Sequence, residues 1–338
     1  MPLLPFLHDL GPLGFGGASI GNLYHAISDD AAEAAVAAAL AAGMTYVDTA
    51  PHYGFGLSER RIGLALEKYD QGRQTIVSTK VGRSLVPAPD ADLSQPRQAF
   101  VSPEPFESVF DYSYDAVMRS WEQSRQRLRR DRIDLLFAHD LGRMAHGDDH
   151  PAIFRTFLQG GYRAMRELRD GGAVRAIGLG VNEAAVCIEA LDYGDFDVML
   201  LAGRYTLLEQ TPLDDLLPLC VDRGVAVVVG GPFNSGILAV GTKGGGRYDY
   251  GRVPPDIRAR VAALETVCAR HGVPLAAAAL RFPLAHPNVV AVVPGLDGAA
   301  QVRDAAMLAA LPIPATFWAD LKAERLIRAD APVPSLEP

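Results

Sequence analysis

The chain alternates short apolar runs, many of them β-branched, with longer stretches whose apolar positions recur at helical spacing. Residues 29 to 42 (DDAAEAAVAAALAA) predict an alanine-rich helix that Ser28 or Asp29 caps and Gly43 ends. A strand over 45 to 48 follows, and Ser58 opens the helix SERRIGLALEKY. Next come the strand TIVSTK (75 to 80), a Pro-rich excursion from 86 to 105 and the amphipathic stretch 113 to 129. IDLLFAH (133 to 139) is an apolar run ending on a histidine. The pattern then repeats: FRTFLQGGYRAMRELRDG before AIGLGV (176 to 181), EAAVCIEAL before VMLLA (198 to 202), LDDLLPLCVDRG before VAVVVGG (225 to 231). A Gly-rich loop (234 to 254) leads to helices 256 to 271 and 275 to 285, the strand VVAVVPG (289 to 295) and a helix over 299 to 310.

With LGFGGA (13 to 18) as a first strand, about eight strand and helix units result. Strands apolar on both faces that alternate with helices indicate a parallel sheet covered by helices. An open doubly wound sheet wants G-x-G-x-x-G between an early strand and a helix. LGFGGASIG runs into Asn22-Leu23-Tyr24 before any helix begins, so the pattern favours a closed (β/α)8 TIM barrel. The expectation is one domain over 1 to 338, with extended loops at the C-terminal face and a final helix and tail from about 312.

Composition narrows the function classes. Half the residues are hydrophobic (49%), and a net charge of −8 comes with no Lys/Arg-rich run, so neither nucleic acid nor an anionic membrane is an expected partner. The longest apolar stretches are alanine-heavy and shorter than the ~20 residues of a bilayer span. MPLLPFLHDLG lacks a basic leader, so a cytoplasmic location is expected. Cys187, Cys220 and Cys268 lie in apolar helical patterns and read as reduced core residues. HGDDHP (146 to 151) fits no common ligand spacing, so no metal is expected.

In a parallel barrel, the C-terminal strand ends share one mouth. Asp48, Lys80 and His139 close successive strands, and Tyr53 lies just beyond Asp48, so the four are expected to converge. A phenol with a pKa of about 10 is a poor base near neutrality, and a neighbouring ammonium favours its phenolate. Asp48 would hold Lys80 charged, His139 would position a substrate oxygen, and Tyr53 would exchange a proton with it. Without a metal, electrons go to an organic cofactor.

These residues sit in motifs that resemble the aldo-keto reductases over nearly the whole chain: GFGGA, Y-V-D-T-A-x-x-Y-G, S-T-K at 78 to 80, the strand ending in His139, PFNSGIL at 232 to 238 and VVPG at 292 to 295. The resemblance implies a (β/α) barrel that moves hydride between a nicotinamide dinucleotide and a carbonyl or alcohol, with Asp48, Tyr53, Lys80 and His139 catalytic. It also implies cofactor contacts from Gly16, Gly17, Asn182, Gly231, Pro232, Phe233, Ser235, Gly236, Gly295 and Gln301. A Gln and an aromatic usual in the family are replaced by Ala202 and Gly230, so Tyr205 or Phe233 is expected to hold the nicotinamide. Where NADPH-using members carry a cation after VPG, this chain has LDGAAQ. Asp297 there would repel a 2′-phosphate and suit a ribose hydroxyl, so NAD is favoured, with NADP possible through Arg303.

Further segments (GFGLSERRIG, HDLGR, LAGRYTLLEQ, GGPFNSGIL) resemble the aldose 1-dehydrogenase branch, which includes L-fucose and L-galactose dehydrogenases and pyridoxal 4-dehydrogenases. The expected substrate is a sugar or pyridoxal-type hemiacetal oxidised to a lactone. His52, Asp140 and Arg204 are candidate hydroxyl contacts, and specificity is expected from loops 19 to 24, 84 to 110, 141 to 150 and 234 to 254. An NADPH-dependent carbonyl reductase, or a non-enzymatic cofactor-binding role, is the alternative. Oligomeric state stays open between monomer and homodimer.

Overall fold

The computed structural model describes residues 2–335. Eight parallel strands form one sheet: β1 (Phe15–Gly16), β2 (Tyr46–Asp48), β3 (Ile76–Val81), β6 (Leu135–His139), β7 (Ala176–Val181), β8 (Val198–Ala202), β9 (Ala226–Gly230) and β10 (Val289–Val293). Parallel bridges Leu13–Val292 and Gly16–Gly295 join the sheet's two ends, giving the expected barrel. The expected strands over 176 to 181 and 198 to 202 and the helix over 299 to 310 match their observed bounds.

Strand pleating decides what fills the barrel, because side chains alternate between its two faces. Tyr46, Ile76, Leu135, Phe137, Val198, Leu200, Val228 and Val293 form the interior cluster. Val47, Val77, Leu136 and Ile177, one position away, join the outer cluster beneath the helices. A 3-10 helix over Pro5–Leu10, which the periodicity did not predict, stoppers the base by adding Leu7 and Leu10 to the interior cluster.

The helices follow their local signals. In α1 (Asp29–Ala41) the Ser28 hydroxyl accepts from the Ala31 amide, leaving Asp29 as the first helical residue. Ser113 caps α3 (Tyr114–Leu128) in the same way, while α2 (Leu57–Tyr69) begins one residue before Ser58. The helix expected from Phe154 is interrupted by a π-helical turn over Phe157–Gly161, where Gly160 and Gly161 pack against the backbone before α3. The Pro-rich excursion is bracketed by an antiparallel hairpin, β4 (Arg83–Pro87) with β5 (Phe106–Phe110), standing at the rim after β3. Among the described residues, no helix is long and apolar enough to cross a membrane. Cys187, Cys220 and Cys268 are buried and free, and burial pushes the Cys220 thiol up to about 12 and Cys268 to about 11.

Candidate active site

Register and pleat bring three of the four polar residues inward at one rim. Asp48 ends β2 opposite Ser78, Lys80 pairs with Phe137, and His139 ends β6 opposite Gly180. Asp48 shares the interior face with Tyr46, and Lys80 follows Ile76 and Ser78 on it, so their polar ends lie above the apolar plug. The Lys80 ammonium is 1% exposed and donates to Asp48 Oδ1 (2.9 Å), Asp48 Oδ2 (2.7 Å) and the Thr49 carbonyl (2.8 Å). All three donors are used, which keeps a buried charge tolerable. Its long side chain needs space opposite, and Gly180 leaves it: a Cβ there would stand 3.2 Å from Lys80 Cε. Beneath, Tyr46 Oη, Ser78 Oγ and Asp48 Oδ1 form a hydrogen-bonded chain.

Tyr53 reaches the same place from the loop after β2, with Lys80 Nζ 4.7 Å from its ring centroid. His139 stands edge-on to that ring at 5.8 Å. The expected lowering of the phenol by the ammonium does not come out. Burial, reinforced by the carboxylates of Asp48 and Asp140, pushes the Tyr53 hydroxyl well above its ordinary value. The physical reason is that Lys80 directs its protons at Asp48 and Thr49 and meets Tyr53 through the ring face. Burial, then Lys80 and Arg83, hold His139 well below the usual histidine range, so its imidazole is neutral. His139 Nε2 lies 3.6 Å from Asp140 Oδ2, and Nδ1 is buried without a partner.

A cavity of about 360 Å³ opens above these groups. Of the expected hydroxyl contacts, His52 and Asp140 line it and Arg204 does not. Arg204 turns away to the Asn182 carbonyl and to Asp249 (2.9 Å). His52 Nδ1 hydrogen-bonds Ser108 Oγ (3.0 Å), and burial, with Arg83 and His139 nearby, brings its pKa down to about 2. Arg83, Gln98, Ala99, Phe100 and Tyr250 also line the cavity, and sequence reasoning missed them as individual residues. Gln98, Ala99 and Phe100 come from the expected loop 84 to 110, Tyr250 from 234 to 254 and Leu23 from 19 to 24, whereas Arg83 lies just before 84 to 110 and the loop 141 to 150 contributes nothing to the lining. His146 and His150 of that last loop bond Tyr112, Leu141 and Glu189, and no metal-holding cluster occurs among the described residues.

A second, larger cleft of about 590 Å³ adjoins the first and shares residues with it, among them Tyr53, Asn182, Leu200 and Ala202. Of the residues expected to contact the cofactor, Gly16, Gly17, Asn182, Gly231, Phe233, Ser235, Gly236, Gly295 and Gln301 line this cleft. Ala202 and Gly230, the two departures, lie in its wall. Asn234, Ser235 and Gly236 all have positive φ, a costly backbone for the first two that recurs at ligand-binding segments. Beside Gly236 nothing lies within 4 Å of an added Cβ, so the cleft is open there. These features fit an elongated dinucleotide, with backbone rather than bulk lining its path.

Three cofactor expectations need correction. Tyr205 is fully buried against Phe282 and His286 and is absent from the cleft wall, because its position after β8 turns it into the outer core. Pro232 is buried and does not line the cleft, while Phe233 does. Asp297 is not in the lining and already pairs with His25 at 2.8 Å, so its carboxylate is engaged across the lip. The cleft wall carries no Lys or Arg: His25 is its basic side chain, and Asp304 an acidic one that sequence reasoning passed over. Arg303 is outside the wall as well.

Comparisons with known proteins agree with this fold. A model of the aldo/keto reductase family matches residues 12–325. The chain is 41% identical over 325 residues to a pyridoxal 4-dehydrogenase of Microbacterium luteolum, covering 93% of this chain and 94% of that one. It is also 41% identical over 318 residues to a D-threo-aldose 1-dehydrogenase of a Pseudomonas species, with the same coverage. Among solved structures, an aldo-keto reductase from Bacillus halodurans in its holo form superposes with a TM-score of 0.70 at 25% identity, covering 94% of this chain and 93% of that one.

Proposed function

This chain belongs to the aldo/keto reductase family, and we propose that it oxidises the anomeric C1 hydroxyl of a neutral aldose to the lactone, with NAD as the preferred dinucleotide. The observation that carries the reading is the convergence of Asp48, Lys80, Tyr53 and His139 where the smaller cavity meets the larger cleft. The dinucleotide, when bound, supplies the hydride acceptor. The C1–H bond breaks with its electron pair, the hydroxyl proton leaves, and C1=O forms.

The chain's own groups handle the proton and the alignment. Neutral His139 hydrogen-bonds the substrate oxygen without placing a second cation beside Lys80. Tyr53 exchanges the proton with that oxygen, and Asp48 fixes the ammonium under its ring. Because the Tyr53 hydroxyl is held protonated at neutral pH, oxidation accelerates as the medium becomes alkaline. NAD preference rests on the absence of Lys and Arg from the cleft wall, where a 2′-phosphate would require a charge-assisted partner.

A second reading, oxidation of pyridoxal to its lactone, draws support from the 41% identity to a pyridoxal 4-dehydrogenase. Both substrates are cyclic hemiacetals. The test is the absorbance of reduced nicotinamide on adding L-fucose, L-galactose, D-arabinose or pyridoxal with either dinucleotide. Oxidation of an aldose with NAD is expected. Turnover restricted to aldehydes with NADPH overturns the proposal, and turnover of pyridoxal alone selects the second reading.

A further inference from the structure

The substrate cavity contains an ion pair that the proton-transfer chemistry does not use. Arg83, the first residue of β4, donates through Nη1 to Asp140 Oδ2 at 2.7 Å. The two side chains are only 14% and 17% exposed. A pair so far out of water costs desolvation that an apolar pair of similar shape would not, so stability alone gives weak reason to keep it. Its placement at the cavity wall beside His139 gives a better one.

The guanidinium is held on three sides. Asp140 takes Nη1, Gln98 Oε1 takes Nη2 at 2.8 Å, and the Phe110 ring lies 4.7 Å from Cζ. The Nε–H is buried and has no partner. Gln98 itself sits in a tight turn, closed by reciprocal bonds between Arg97 and Phe100, in which Gln98 and Ala99 both have positive φ. Neither is glycine, so the backbone accepts strain to carry a glutamine here. Asp140 also has positive φ, and both its ionic contacts use Oδ2.

We propose that Arg83, oriented by Asp140 and Gln98, is a specificity-determining residue that binds the hydroxyl on the carbon next to the reacting carbon of a neutral polyol. This deepens the aldose reading and rests on it. Arg83 offers charge-assisted donors to that oxygen, and Asp140 Oδ1 accepts a hydrogen bond from the hydroxyl. The cavity's cations, Lys80 and Arg83, are each matched by a carboxylate, and both of its histidines are held well below the usual imidazole range. No unmatched positive charge remains for a sugar phosphate or a uronic acid, so the site selects uncharged sugars.

The experiment compares kcat/KM for L-fucose and 2-deoxy-L-fucose, with NAD, in the wild type, Arg83→Met and Gln98→Gly. Glycine suits the positive φ at 98, so the second variant keeps the turn and removes only the amide. The wild type is expected to favour L-fucose by about 30-fold, the size of one lost hydrogen bond to a charged group. In Arg83→Met that preference collapses toward unity, and in Gln98→Gly it shrinks while the protein stays folded. A wild type that treats the two sugars alike, or a preference unchanged in both variants, overturns the role of Arg83 and leaves the aldose reading standing. A wild type inactive on every aldose overturns the aldose reading and this inference with it.

Discussion

The two cavities at the barrel rim are built from opposite materials. The substrate cavity is defined by side chains: Lys80 with Asp48, Arg83 with Asp140, two uncharged histidines and the rings of Tyr53, Phe100 and Tyr250. The adjoining cleft is defined by main chain, with seven glycines in its wall and no Lys or Arg. One recognises by placing charge and hydrogen bonds, the other by leaving room. Substitutions should therefore act differently on each side, and the substrate side should be far less forgiving.

The sharpest break is Tyr53→Phe, which removes the proton carrier and leaves the ring. Turnover is expected to fall by at least about 1,000-fold, within the range for losing a general acid or base, while dinucleotide binding, followed by nicotinamide fluorescence, stays unchanged. Retained turnover would remove Tyr53 from the chemistry. On the other side, Asp297→Arg should act on the cofactor ratio. It replaces the acidic partner of His25 at the lip with a cation, and use of NADP relative to NAD is expected to rise by about tenfold, or roughly 1.4 kcal/mol. An unchanged ratio would show that the adenosine end lies elsewhere.

The buried histidines give a pH test of the substrate side. His52 and His139 have folded values depressed below the ordinary 6.5, so below that pH the unfolded chain binds protons that the folded chain refuses. Stability therefore falls with falling pH, by about 1.4 kcal/mol per pH unit for each histidine. Chemical denaturation at pH 6.5 and 5.0 measures the slope, and His52→Phe should reduce it. The smallest effect is expected from Tyr205→Phe. Its hydroxyl is buried without a partner, so stability should change by less than about 1 kcal/mol and dinucleotide affinity not at all. A loss of affinity would return Tyr205 to the cleft.

The same contrast explains what the sequence made legible. Asp48, Lys80 and His139 stand at strand ends, where the period of two and the parallel order fix their direction before any contact is known. Arg83 was harder to find, because a hairpin hidden in a Pro-rich excursion folds it back over the mouth and Gln98 reaches it from a turn fifteen residues on. Tyr205 was misplaced because a side chain leaving a strand end can enter the rim or the outer core, and the local sequence does not distinguish them. Glycines announced the cleft, yet the engagement of Asp297 by His25 is a contact between distant loops that no spacing encodes.

The 3-10 plug formed by Pro5–Leu10 has a consequence for access. With Leu7 and Leu10 stoppering the base, the barrel has a floor, and the ammonium of Lys80 can be approached only from above. An amine-directed reagent added to the folded protein has to pass the Tyr53 ring to reach it, so a bound ligand in the upper cavity shields that lysine like a lid on a well.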